Sequence, residues 1–497
     1  MTKKYESLWP YPQQITSADK FPRPESVRVQ GDFCRQYLDD ITLIGKVRLG
    51  VEQNCYPLEL MLDTAASIPG SYTLNMSATG ARIAGADRAG IMYGLQTWLQ
   101  ILGLHRGDDH WPALTVHDWP AYRKRCFMID MGRSVFPISM IKRIIRILAR
   151  LKMNQLHLHL SDDELCGLRF EGLPFGSENP YSISLSDLAE LVSYAAEYEI
   201  EVVPEIESWG HVGSLVYHRP ELRGGAGMYD GVSFLICQQA FDLVKELVRQ
   251  VAEVMPKQAT IHFGMDEAKW FTAPSLGNDF KPENLVRNYF DMLQSIAAMT
   301  GKDLTMRLWA DHGGRPVPPD IQSKVIIEPW NYWIKNRDMI DKAIEHYSGS
   351  GKMRWMMGAG QSMAQYRGAF HATRYWCRRA LNSPNVEGVN ITFWGENDLA
   401  DKLITLFAGA YYAWNPTAPT GFCDNQDYEH YDSLVFPIMR RWQNMFVEAR
   451  TDKMQDDQGP FVYGGYYLYG RQHGQPVAPT VLLAGTSLGH DFINEGM

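Results

Sequence analysis

Two carboxylates stand side by side in the stretch HFGMDEAKW, residues 262–270, where Asp266 and Glu267 follow a mostly apolar run. An unpaired buried carboxylate is costly and two adjacent ones repel, so the pair needs a reason to be there. General acid–base chemistry supplies one. If one carboxylate stays ionised, its charge keeps the neighbour protonated, giving a base-like group beside an acid. Polar groups recur after other short apolar runs: Asp130 with Arg133, His159 with Asp162 and Asp163, and Glu205 with Glu207 and, further on, His211. Trp309 with Asp311, Glu328 with Trp330, and Trp394 with Glu396 complete the set. Acids interleaved with tryptophans suit a sugar pocket, whereas a phosphate site would need glycine-rich loops and more cations. Any one of these groups is equally well explained as a strand end emerging into water. An Asp-Glu dipeptide is weak by itself, since Asp163-Glu164 is another.

Those residues need elements to position them. From about Lys124 onward the chain alternates β-like runs, RCFMIDM, QLHLHLS, EVVPEIE, TIHFGMD, TMRLWAD, KVIIEPW, MRWMMGA and VNITFWG, with helical stretches. In SMIKRIIRILARLKM, LSDLAELVSYAAEY and AFDLVKELVRQVAEVM, apolar residues recur at i, i+3, i+4 and i+7, as a helix packing one face requires. The strand runs are continuously apolar rather than alternating, which fits a parallel sheet buried on both faces. Eight β-then-α units predict an α/β fold, a (β/α)₈ TIM barrel, whose functional groups come from the C-terminal strand ends. At such an end the alternation of side chains breaks, so consecutive residues can both reach the mouth.

The first ~120 residues read as a small α+β domain, with strand-like pieces in VRVQG and DITLIGKVRLG and one helix, RAGIMYGLQTWLQILG. The expected division is a small α+β domain over 1–120, the barrel over 121–418 and a C-terminal extension over 419–497. HDWPAYRKR forms the junction, and the extension carries a helical stretch near SLVFPIMRRWQNMF and a turn-rich tail. The net charge of −9 argues against a nucleic-acid partner. No apolar run approaches the ~20 residues that span a bilayer, so no membrane partner is expected. The start, MTKKYESLWPYP, has no apolar h-region, and the expected location is cytoplasmic, a secreted form with a trimmed signal being the alternative. Seven scattered cysteines without metal-like spacing suggest free thiols in a reducing compartment. His157 and His159 offer a metal reading with Asp162 and Asp163. Strand histidines commonly satisfy core hydrogen bonds instead, and no metal or other cofactor is expected.

Taken in order, the motifs KRCFMIDMGR, HLHLSDD, PEIESWGH, HFGMDE and FWGEN resemble those of glycoside hydrolase family 20, the β-N-acetylhexosaminidases. AGADRAGIMYGLQTWLQIL resembles the helix of that family's preceding domain, and the likeness covers roughly 75–415. The resemblance implies an exo-acting β-N-acetylhexosaminidase whose partner is an oligosaccharide or glycoconjugate with a terminal β-linked GlcNAc or GalNAc. It implies substrate-assisted retaining catalysis, in which the 2-acetamido carbonyl attacks the anomeric carbon, an exception to the two-carboxylate scheme. Asp266 would orient the acetamide, and Glu267 would be general acid and then base. His211 and Asp162 match a pair supporting Glu267. Arg133 and Glu396 match groups that bind hydroxyls of the terminal sugar. Trp309, Trp330 and Trp394 would wall the acetamide pocket, and Tyr332 or Tyr366 would donate a hydrogen bond to the acetamide carbonyl.

There are departures. The family's DDQ-x-W-R stands here as DDELCGLR, Glu207 replaces a more usual Asp, and Met265 replaces a common second Gly. Two rival readings remain: a two-carboxylate barrel glycosidase with Glu205 or Glu396 as nucleophile, and a non-catalytic sugar-binding relative.

Overall fold

The computed structural model describes residues 5, 8–31, 33–134, 136–177, 179, 181–226, 231–268, 282–311, 316–361, 369–395 and 399–418, with backbone alone for 282–283, 361, 369–370 and 399–404. The expected extension over 419–497, with its helical stretch, lies outside the described residues. The described chain forms two compact units.

The first unit holds residues up to Arg123 together with 146–153 and 407–418. Its strands are β1 (Gln14–Pro22), β2 (Ser26–Gln30), β3 (Arg48–Leu49), β4 (Tyr56–Leu62), β5 (Tyr72–Ser77), β6 (Gly80–Gly85) and β7 (His110–Asp118). They make one mixed sheet in the order β1-β7-β5-β6-β4-β2-β3. In β4 and β5 the buried and less buried residues alternate, as expected of a sheet with one covered face. Helix α2 (Arg88–Leu104) is buried from Gly90 to the end, and Asp87 caps it by accepting the Gly90 N–H at 2.7 Å.

DITLIGKVRLG, expected to be strand-like, instead supplies helix α1 (Leu38–Gly45) and the two-residue β3. Asp39 and Asp40 sit in the first turn, where the helix dipole favours acids, and Ile41 and Ile44 turn one face into the core. Packing on that face overrides the β-branched propensity. Lys46, in the left-handed region, ends the helix.

The second unit is a closed barrel of eight parallel strands in chain order: β8 (Lys124–Asp130), β9 (Gln155–His159), β10 (Glu201–Glu205), β11 (Gln258–His262), β12 (Asp303–Ala310), β13 (Val325–Pro329), β14 (Arg354–Gln361) and β15 (Val386–Phe393). Each coincides with one of the predicted apolar runs. The helices between include α3 (Ile138–Arg150), α4 (Leu185–Ala196), α5 (Gln238–Val254), α6 (Pro282–Thr300), α7 (Arg337–Gly349) and α8 (Ala369–Arg379), followed by α9 (Leu399–Trp414). Helix α5 shows why the sequence chooses this arrangement. Ala240, Leu243, Val244, Leu247, Val248 and Val251 are buried, a stripe at helical spacing. Helix α4 begins with a capping box between Ser184 and Asp187.

Among the described residues no helix is long and apolar enough to cross a membrane.

Candidate active site

Strand register creates the site. Asp130 pairs with His159, His159 with Glu205, Glu205 with His262, and His262 with Arg307, across five adjacent strands. Paired residues in neighbouring strands face the same side, so this line of polar groups forms a belt inside the C-terminal end of the barrel. All five are buried. Glu205 is the hub of the belt. Glu205 takes the Trp309 indole N–H at 2.6 Å on Oε1, while His159 Nδ1 at 2.6 Å and His157 Nε2 at 2.9 Å approach Oε2. Burial opposes the Glu205 charge, but the His159 imidazolium first, together with the hydrogen bond from His157, holds its carboxyl well below the usual range. Burial keeps His157 and His262 neutral, with pKa values of about 3 and about 4.

Above the belt the strands turn into loops. After His262 the chain runs through Phe263 and then enters the left-handed region at Gly264 (φ 61), Met265 (φ 79) and Glu267 (φ 50). A β-carbon on Gly264 would lie 2.0 Å from the Glu207 carboxylate, so only glycine fits there. The same carboxylate accepts the Met265 N–H at 3.1 Å. Glu267 donates its backbone N–H to both carboxylate oxygens of Asp311, at 3.2 Å each. Two acids therefore anchor the turn that aims two more.

His211 stands between the members of the pair. Its Nε2 lies 3.3 Å from Glu267 Oε2 and 3.8 Å from Asp266 Oδ2. Its Nδ1 lies 3.1 Å from Asp163 and 3.3 Å from Asp162. Burial disfavours an imidazolium, but Asp162, Asp163 and Glu267 together raise its pKa well above the ordinary value. Asp162 in turn receives His159 Nε2 at 2.8 Å and Arg133 Nη2 at 2.6 Å. Those cations outweigh the burial of Asp162 and hold its carboxyl low. A continuous chain of charge-assisted contacts thus runs from Glu267 through His211, Asp162 and His159 to Glu205.

Asp266 behaves differently. It is buried, and burial first, then the nearby charges of Glu267 and Asp311, push its pKa up to about 7 despite His211. Its Oδ1 has no hydrogen-bond partner among the described residues. A buried carboxylate oxygen without a partner is a group prepared to receive one.

Aromatic residues pack against the belt, Trp309 beside His262 and Trp394 beside His159. Trp309 and Trp394 have ring centroids 5.6 Å apart, and Trp330 stacks on Tyr332 at 5.5 Å. The Trp394 indole donates to the Tyr332 hydroxyl at 2.8 Å. The Arg133 guanidinium carbon lies 5.5 Å from the centre of the Trp394 ring. Its fork is engaged by Asp130 at 3.0 Å, Asp162 at 2.6 Å and Glu164 at 3.3 Å.

Asp162, His211, Asp266, Glu267 and Arg133 are thus joined in one network, and Trp309, Trp330, Tyr332 and Trp394 in an adjoining wall. Tyr366 and Glu396 lie outside the described residues. Asp163, Glu207 and Asp311 were recognisable as acids at strand ends, the first two also within the motifs HLHLSDD and PEIESWGH, but the contacts that each makes here were not foreseen. Glu164 had even less signal, as half of a second Asp-Glu dipeptide. Three groups have metal-like proximity among the described residues: His157 with Glu205 and His262, His159 with Glu205 and Glu207, and Asp162 with Asp163 and His211. In the first and third groups the short contacts between imidazole and carboxylate account for that closeness.

Comparison with known proteins bears on the same residues. Residues 122–347 match the profile of the "Glycosyl hydrolase family 20, catalytic domain" and residues 6–119 that of "Glycosyl hydrolase family 20, domain 2". A beta-hexosaminidase of Akkermansia muciniphila is 30% identical over 226 residues, covering 40% of this chain and 45% of that protein. The beta-hexosaminidase subunit beta of Entamoeba histolytica is 26% identical over 309 residues, covering 56% of this chain and 53% of its own length. The chain thus spans about half the length of these relatives. Among solved structures, a Flavobacterium johnsoniae chitobiase aligns with a TM-score of 0.67 at 18% identity, covering 93% of this chain and 77% of that one. An exo beta-N-acetylglucosaminidase of Vibrio harveyi, solved with N-acetylglucosamine, aligns with a TM-score of 0.65 at 18% identity, covering 88% of this chain and 78% of the other.

Proposed function

From the premise that this chain belongs to glycosyl hydrolase family 20, we propose that it is an exo-acting β-N-acetylhexosaminidase, releasing terminal β-linked GlcNAc or GalNAc by substrate-assisted retaining catalysis. One observation carries the reading. His211 stands between adjacent acids of different character, Asp266 buried with an unpartnered oxygen and Glu267 slightly less buried beside the imidazole.

In this mechanism the substrate's acetamide carbonyl oxygen attacks the anomeric carbon as the glycosidic bond breaks. Glu267 gives its proton to the departing oxygen. The carboxylate left behind faces the raised-pKa imidazole of His211, which stabilises the new charge. Asp266 accepts the acetamide N–H and, once ionised, offsets the positive charge of the oxazolinium. Water then attacks the anomeric carbon, Glu267 takes its proton, and the ring reopens with configuration retained. Tyr332 and the tryptophans enclose the acetamide methyl. Arg133 and Glu396 contact sugar hydroxyls in this scheme. The engagement of Glu205 with His157, His159 and Trp309 favours substrate assistance over that residue as a nucleophile.

The test is a panel of aryl β-glycosides with and without the 2-acetamido group. Hydrolysis confined to the 2-acetamido sugars is expected, with strong inhibition by a thiazoline analogue of the bicyclic intermediate. Comparable turnover of a plain glucoside would overturn the reading.

A further inference from the structure

We propose that Asp311 is a positioning residue for Glu267: by accepting the Glu267 backbone N–H it holds the general acid in the left-handed conformation from which its carboxyl meets His211. This rests on the hydrolase reading above and adds to it the device that fixes the acid in place.

Strand pairing sets the geometry. Phe263 N–H bonds to the Arg307 carbonyl at 2.9 Å, and Trp309 N–H to the Gly264 carbonyl at 3.1 Å. The ladder between β11 and β12 therefore continues past the end of β11 at His262. Two residues beyond Trp309, Asp311 arrives beside residues 266 and 267. There the ladder stops, and a side-chain carboxylate takes the place of the next backbone acceptor.

Glu267 needs that substitute. At φ 50 it lies in a left-handed region that residues other than Gly, Asn and Asp rarely adopt. Asn and Asp tolerate the region because a short polar side chain can bond locally, and Glu lacks that option. Without a restraint, the residue would relax to an ordinary conformation and swing its carboxyl away from His211 Nε2, now 3.3 Å away. The two equal 3.2 Å contacts to Asp311 are the restraint. An amide bonding a carboxylate makes a stronger hydrogen bond than one bonding a neutral acceptor.

Asp311 acts on the other acid through space. After burial, its charge is one of those that raise Asp266. One carboxylate therefore fixes the place of Glu267 and biases the ionisation of Asp266. Asp311 also borders a cavity of about 350 Å³ lined in addition by Trp330, Asn331, Tyr347 and Trp376, so a smaller or isosteric side chain there need not clash.

Asp311→Ala and Asp311→Asn separate position from charge. On aryl 2-acetamido glycosides of graded leaving-group pKa, Asp311→Ala is expected to lose about 10²-fold in kcat/KM with the poorest leaving groups. It should lose much less with activated ones, which need little help from an acid. Asp311→Asn keeps a side-chain oxygen for the N–H and should recover most of that rate. Its acid limb should move to lower pH, because the negative charge near Asp266 is gone. A merely structural role would lower all substrates alike and leave the limb where it was. An unchanged leaving-group slope in the Ala variant, or an Asn variant as impaired as Ala, overturns the proposal. Wild-type inactivity across the panel counts against the proposed function instead. Anchoring is then read from hydrogen exchange at the Glu267 amide, expected to be faster in the Ala variant and slow in the Asn variant. Equal exchange in all three proteins overturns it.

Discussion

Asp266 and Glu267 are neighbours in the chain but occupy different environments. Asp266 is buried, and burial raises its pKa to about 7; Glu267 is less buried and lies 3.3 Å from His211. Different environments imply different steps. Glu267→Gln removes the proton donor and keeps its shape, a loss worth ~10²–10⁴ in rate where the leaving group needs protonation. The dependence of kcat/KM on leaving-group pKa should steepen in that variant. Asp266→Asn removes charge stabilisation that every substrate needs, so its loss should run nearly parallel across leaving groups. Identical slopes in the two variants would show the roles to be misassigned.

The strand-end turn after β11 is the element on which the pair depends. Gly264 (φ 61) has the Glu207 carboxylate where a β-carbon would sit, whereas Gly301 (φ 66) has nothing within 4 Å. The two glycines therefore make a controlled comparison. Gly301→Ala carries only the left-handed penalty, about 1 kcal/mol, and is expected to lower the Tm slightly with activity intact. Gly264→Ala adds a clash with a buried carboxylate, so it should lose more Tm and most of kcat, because Met265 N–H and Glu207 must separate. Equal effects of the two substitutions would mean that the close approach to Glu207 does not constrain the turn.

At the scale of the molecule, the buried ionisable groups set a stability profile in pH. Asp162 and Glu205 are held low, so their stabilisation is present above about pH 4 and is lost as pH falls through their folded values. His159 and His211 are held high, so theirs is full below about pH 6.5 and is lost as pH rises through the folded values. Between those limits two sets oppose each other. Asp266 and Glu328, each raised to about 7, and Glu207, raised well above the ordinary carboxylate range by burial and by Asp266, lower stability as pH rises from about 4. His157 and His262, lowered to about 3 and about 4, raise it over the same interval. The expected outcome is a broad Tm maximum from about pH 4 to 6.5 with losses on both sides, measurable by calorimetry between pH 3 and 9. A Tm still rising above pH 8 would contradict it.

The sequence by itself determined the eight barrel strands, because continuous apolar runs alternating with helical stripes leave few ways to bury both patterns. It also determined that acids, histidines and tryptophans would meet at the C-terminal mouth, since strand ends of a parallel barrel all open on one face. It misread DITLIGKVRLG, where β-branched residues look like a strand until tertiary packing selects the helical face of α1. Only the tertiary structure decided which acid contacts which base. Asp163 and Glu164 are adjacent in the chain, yet one meets His211 and the other Arg133. Asp311 and Glu267 are 44 residues apart and share a hydrogen bond. Periodicity reports which face a residue occupies, whereas a hydrogen-bond partner depends on the register between strands distant in the chain. That register is set by packing of the whole barrel.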